Sequence, residues 1–167
     1  MSNEIAERIA ALLDSGGVAY TRYEHAPVNT IEEAYARAPH LTANLLKTIA
    51  FEIDRRDRIV LAAVACDAQV DYKKLSAILG CNRRELRLIP AARVATELGF
   101  EVGGLGPFAV APAVEVVLDA DIMRQPFVRC GAGVRTRTLE LAPAELARAS
   151  HARIAEIAKT ASATSDV

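Results

Sequence analysis

Lys47-Thr48-Ile49-Ala50-Phe51-Glu52-Ile53 and Arg58-Ile59-Val60-Leu61-Ala62-Ala63-Val64-Ala65-Cys66 are two apolar runs joined by Asp54-Arg55-Arg56-Asp57. Each run has the length of a strand, and the charged tetrapeptide between them is a turn, so the pair reads as a β-hairpin. Lys47 then stands at the mouth of the first strand. Ile59 to Cys66 is far short of the roughly 20 apolar residues that cross a bilayer, which makes it a buried strand.

Working outward toward the N-terminus, Ile5, Ile9, Leu12 and Leu13 recur at helical spacing and Gly16-Gly17 follow as a cap. Val18 to Tyr23 read as a short strand. After His25-Ala26-Pro27, Thr30-Ile31-Glu32-Glu33 is a capping box for a short helix that Pro39 ends. On the other side, Asp71 can cap a helix running to Leu79 with Gly80 beyond it, and Pro90 can open another that stops at Gly99. Val114 to Leu118, Phe127 to Cys130 and Arg135 to Leu139 read as strands. Pro143 starts a final helix whose apolar positions include Leu146, Ile154 and Ile157.

This order predicts an α/β fold of the α+β kind: one compact domain over residues 1–159, with a mixed, largely antiparallel sheet packed with helices, and a polar tail over 160–167. The 167 residues are 51% hydrophobic and 25% charged, a globular balance, while 5% aromatic residues and no Trp leave the core to aliphatic side chains. A net charge of −1 gives no overall attraction to nucleic acid, so a polyanion must be held by a local patch. Cys66, Cys81 and Cys130 are odd in number and widely spaced, which reads as reduced thiols in a cytosolic setting. The first 13 residues carry Glu4 and Glu7 at helical spacing and do not read as a secretory signal.

Gly103-Gly104-Leu105-Gly106-Pro107-Phe108 is the least ordinary stretch. Glycines there allow close backbone approach and Pro107 fixes the exit, so the loop either turns tightly or presents its amides to a ligand. No Gly-Lys-Ser/Thr follows, which excludes a Walker loop. Lys47 is the one cation inside an apolar run; its ammonium either snorkels to water or meets a carbonyl, ribose or phosphate oxygen. His25 is a turn histidine that reads as structural or as an acid/base. No histidine pair has metal-ligand spacing, and Ser15 and Ser76 lack a nucleophile-elbow context.

Tyr23-Glu24-His25-Ala26-Pro27, Thr30 with Glu33, Lys47-Thr48-Ile49-Ala50-Phe51, Val70-Asp71-Tyr72-Lys73-Lys74-Leu75 and Gly103-Gly104-Leu105-Gly106-Pro107-Phe108 occur in that order. Together they resemble the YbaK and prolyl-tRNA synthetase-associated editing domain family, from about His25 to Gly133. The resemblance implies a trans-acting hydrolase that removes wrongly attached amino acids from tRNA, with no cofactor and no metal. It places Lys47, Gly103, Gly104 and Pro107 as catalytic, and His25, Thr30, Thr48, Gly106, Phe108, Gly131 and Gly133 as substrate-binding. Gly106 departs from the small hydroxyl residue that many relatives carry before the proline, and Cys130-Gly131-Ala132-Gly133 follows the later glycine-rich segment loosely.

Lys73, Lys74, Arg83, Arg84 and Arg87, with Arg93 nearby and Arg55, Arg56 and Arg58 at the hairpin turn, form the one candidate phosphate patch. The expected partner is the aminoacylated 3′ end of tRNA, with a synthetase or a second copy of the chain as further candidates, and neither DNA nor a membrane. The alternative is a tRNA- or partner-binding module of the same fold without turnover.

Overall fold

The computed structural model describes residues 3–54 and 57–160. Helix α1 (Asn3–Ser15) is followed by strand β1 (Tyr20–Glu24), helix α2 (Ile31–Arg37) and the hairpin β2 (Leu46–Ile53) and β3 (Arg58–Ala65). Helix α3 (Tyr72–Leu79), strand β4 (Leu86–Leu88), helix α4 (Ala91–Leu98) and strand β5 (Val114–Asp119) come next. Strands β6 (Val128–Gly131) and β7 (Arg137–Leu141), helix α5 (Pro143–Ser150) and strand β8 (Arg153–Ala155) complete the order.

The strands make two sheets, in the orders β1-β7-β6 and β4-β2-β3-β5-β8. The first is antiparallel throughout; in the second, β3 pairs with β5 and β5 with β8 in parallel. The expected hairpin forms with Lys47 opposite Val64 and Thr48 opposite Ala63. A parallel bridge between Leu45 and Arg129 ties the two sheets together just before β2 begins.

Strand β3 is apolar without alternation because both of its faces are covered. Leu61 and Ala63 join a core shared with the small sheet, α1, α4 and α5, whereas Val60, Ala62 and Val64 join a second core under α3. Ile5, Ile9 and Leu13 carry the α1 stripe into the first core, each burial worth about 1.5–3 kcal/mol. Asp71 caps α3 by accepting from the Lys73 and Lys74 amides, and Gly80 ends it in the left-handed conformation, as the sequence predicts. Gly99 ends α4 in the same way, with Pro90 at the cap rather than in the first turn.

Three expectations need correction. The final helix stops at Ser150, because His151 adopts φ 52° and closes the turn as a C-cap. Ile154 therefore lies on β8 and Ile157 in the second core. Strand β4 sits inside the segment read only as a basic link, pairing with Phe51 to Ile53. Cys66 lies beyond the end of β3 and is half-buried, its Sγ 3.4 Å from the Tyr35 hydroxyl, so it is not an enclosed strand thiol. Cys130 is enclosed, and burial pushes its thiol up to about 12. Arg55, Arg56 and the tail from residue 161 lie outside the described residues.

Candidate active site

Where the two sheets meet, the start of β2, the start of α2, the 103–105 loop and the facing ends of β6 and β7 enclose a cavity of about 260 Å³. Its wall is largely aliphatic: Ile31 and Ala34 of α2, then Ala38, Leu41 and Leu45. His25, Thr30, Lys47, Thr48, Gly103 and Gly131, all expected at the site, line it together.

Each of these is held by a local device. Thr30 is the N-cap of α2, its hydroxyl accepting from the Glu33 amide at 3.1 Å. Glu33 reaches back to the Asn29 amide rather than to Thr30 itself, and also takes Arg37 in an ion pair at 3.0 Å. His25 has its Nδ1 2.8 Å from the Ala26 carbonyl and its Nε2 2.9 Å from Thr138 Oγ1. A carbonyl can only accept, so Nδ1 donates to Ala26, and Nε2 faces a hydroxyl that can either donate or accept. Both nitrogens are engaged, which fixes the ring as a strut at the cavity edge.

Alternation along β2 sends neighbouring side chains to opposite faces. Thr48 shares a face with Leu46 and Ala50 toward the first core, while Lys47 shares one with Ile49 and Phe51 toward the second. Lys47 Nζ donates to the Ala68 carbonyl. Its side chain stands between this cavity and a wider hollow of about 880 Å³, bordered by Gln69, Tyr72, Lys73, Arg83 and Lys159. Arg83 lies over the Tyr72 ring, 4.4 Å from its centroid.

The glycine loop divides sharply. Gly103, at φ +88°, faces the cavity, and a Cβ there would stand 2.2 Å from the Val28 carbonyl oxygen. Gly106 instead packs backbone to backbone against Gly131, where a Cβ would come within 2.1 Å of its oxygen. The Gly104 amide is taken by the Glu101 carbonyl at 2.8 Å, and its own carbonyl accepts from Gly133 at 2.8 Å. Gly104, Gly106, Pro107, Phe108 and Gly133 are thus not brought to the cavity: Phe108 is fully enclosed in the first core, and Gly133 packs on Ile5 of α1.

The expected phosphate patch is also smaller than the sequence suggests. Lys73 and Arg83 border the hollow, and Arg84 is exposed beside them. Lys74 is committed to the Ala158 carbonyl and the Thr160 hydroxyl. Arg87 pairs with Asp54, Arg93 with Glu52 and Glu97, and Arg58 with Glu115. Arg137 and Thr138, which the sequence reading did not single out, reach the cavity through the long-range pairing of β7 with β1.

The pattern of the aminoacyl-tRNA editing domain matches residues 25–149, most of the chain. The chain belongs to that family. It is 30% identical over 125 residues to the uncharacterised protein YwhH of Bacillus subtilis (strain 168), covering 75% of this chain and 77% of that one. It is 32% identical over 95 residues to proline–tRNA ligase of Thermoanaerobacter sp. (strain X514), covering 57% of this chain but only 16% of the ligase.

Among solved structures, the editing domain superposes on the hypothetical protein APE2540 with a TM-score of 0.80 at 23% identity, covering 91% of this chain and 99% of that one. A candidate trans-editing enzyme for prolyl tRNA synthetase matches with a TM-score of 0.74 at 21% identity, covering 94% and 98%. At such identities these two establish the fold. Among the described residues of this editing domain, no helix is long and apolar enough to cross a membrane.

Proposed function

We propose that the chain is a trans-acting aminoacyl-tRNA deacylase of the cytosol, hydrolysing the ester that joins a wrongly attached amino acid to the 3′ end of tRNA. The observation that carries this reading is the meeting, at Lys47, of a small aliphatic cavity with an open hollow edged by Lys73, Arg83 and Lys159. The amino acid occupies the cavity, the RNA strand lies along the cationic hollow, and the ester falls at the junction.

An aminoacyl ester is already activated, so orientation and stabilisation of the developing oxyanion suffice. Water adds to the ester carbonyl carbon, the tetrahedral oxyanion collapses, and the bond to the ribose oxygen breaks. The amino acid leaves as its carboxylate, and the ribose regains a hydroxyl. Among the described residues the Gly103 and Leu105 amides take no backbone acceptor, and both residues line the cavity, which favours them over Gly104 as oxyanion donors. One Lys47 N–H is held by Ala68, leaving two for the oxygens of the terminal nucleotide.

A deacylation screen over tRNAs charged with Ala, Ser, Cys, Thr and Pro tests the proposal. The relation to proline–tRNA ligase and to a candidate trans-editing enzyme for prolyl tRNA synthetase makes the proline-specific tRNA charged with another amino acid the first substrate to try. Turnover of at least one ester above the spontaneous rate is the expected result. Tight tRNA binding with no turnover of any ester would replace the proposal with a binding module.

A further inference from the structure

Thr48 Oγ1 is buried without a hydrogen-bond partner, the one side-chain atom among the described residues in that condition. Such a group destabilises a fold unless something else requires it. Thr48 lies on the cavity-facing side of β2, on the same face as Leu46 and Ala50, and it lines the cavity. Of the residues that line the cavity with it, Ala34, Ala38, Leu41 and Leu45 offer no side-chain donor or acceptor, and the polar ones make no hydrogen bond to the Thr48 hydroxyl. Because the hydroxyl makes no internal bond, turning χ1 to present it to a ligand breaks no hydrogen bond.

The cavity's charges narrow what that ligand group can be. Its lining includes Lys47 and Arg137, the latter paired with Glu24 at 2.8 Å, and no carboxylate among the described residues. A substrate ammonium is therefore better placed at the solvated mouth than against Thr48. The volume of about 260 Å³ is just below the roughly 300–1,000 Å³ usual for ligand sites and suits a short side chain. An aliphatic pocket alone discriminates weakly between side chains that differ by one hydroxyl, whereas a placed hydrogen-bonding group discriminates strongly.

We propose that Thr48 sets the specificity of this cavity, its hydroxyl hydrogen-bonding a hydroxyl or thiol on the side chain of a small acyl group. The inference rests on the reading of the cavity as the aminoacyl site, and binding measured without turnover separates the two. The probes are the seryl and alanyl forms of an amide-linked, non-hydrolysable 3′-aminoacyl adenosine, titrated against the full chain.

The wild type is expected to bind the seryl compound about tenfold more tightly than the alanyl one, the worth of a single hydrogen bond. Thr48→Val, which keeps the branched shape, brings the seryl Kd up to the alanyl one, while Thr48→Ser retains the preference. Thermal unfolding of Thr48→Val moves upward or stays level, because an unsatisfied hydroxyl has been removed, so lost preference is not lost folding. A Thr48→Val protein that keeps the seryl preference, or a wild type that binds both compounds equally or neither, overturns the inference. A chain that shows the preference but hydrolyses no ester leaves Thr48 standing and overturns the deacylase.

Discussion

Gly103 shows how one position serves both fold and site. Its φ of +88° and a would-be Cβ contact of 2.2 Å with the Val28 oxygen leave no room for a side chain. Gly103→Ala is expected to lower stability by about 2 kcal/mol, since strain at positive φ and overpacking act together; urea unfolding measures this, and an unchanged midpoint would contradict the geometry. At this scale the sequence was partly legible. His25, Thr30, Lys47 and Thr48 are brought to one cavity, as their motif order implies. Phe108 and Gly106 were misplaced because a glycine needed for close backbone packing and one needed to expose an amide look alike along the chain. Only the three-dimensional partner, Gly131 for one and Val28 for the other, tells them apart.

Among the elements, the β2–β3 hairpin and the caps of α3 and α4 were readable because their signals are local: apolar runs, Asp71, Gly80 and Gly99. β8 was not, since Ile154 and Ile157 continue the helical spacing and the left-handed cap at 151 is a histidine, which carries no stop signal of the kind Gly80 and Gly99 give. The parallel pairing of β3 with β5 is pinned at one end by Arg58, whose guanidinium donates two hydrogen bonds to Glu115. That guanidinium holds the Glu115 carboxyl below its ordinary value of 4.5. A depressed folded-state pKa contributes stability above the unfolded value, and the contribution is lost as pH falls through the folded one. The stability gap between wild type and Glu115→Gln should therefore be widest near neutrality and close under acid; a gap independent of pH would show the pair to be inert.

For the whole molecule, a net charge of −1 concealed an uneven surface. The run from Lys73 to Arg93 looked like one basic patch, yet Asp54 neutralises Arg87 and Glu52 neutralises Arg93 from β2 and its turn, while Glu97 pairs with Arg93 within α4. Sequence cannot display such cross-element pairing. What is left beside the cavity is Lys47, Lys73, Arg83 and Lys159. If these four meet a single strand, the logarithm of the tRNA association constant falls with the logarithm of salt concentration at a slope of about −3, at roughly 0.7 per phosphate. The double variant Lys73→Gln with Arg83→Gln should flatten that slope by about 1.4. An unaltered slope would place the RNA elsewhere on the molecule.

The account as a whole turns on Lys47, which stands between the cavity and the hollow on an otherwise apolar strand. Single-turnover deacylation of the best mischarged tRNA by wild type and Lys47→Ala, with folding checked by thermal unfolding, addresses it most directly. The account predicts a folded variant whose deacylation rate drops by about a hundredfold, the scale of removing one group that orients or stabilises the reacting ester. A folded Lys47→Ala protein with the wild-type rate would contradict it.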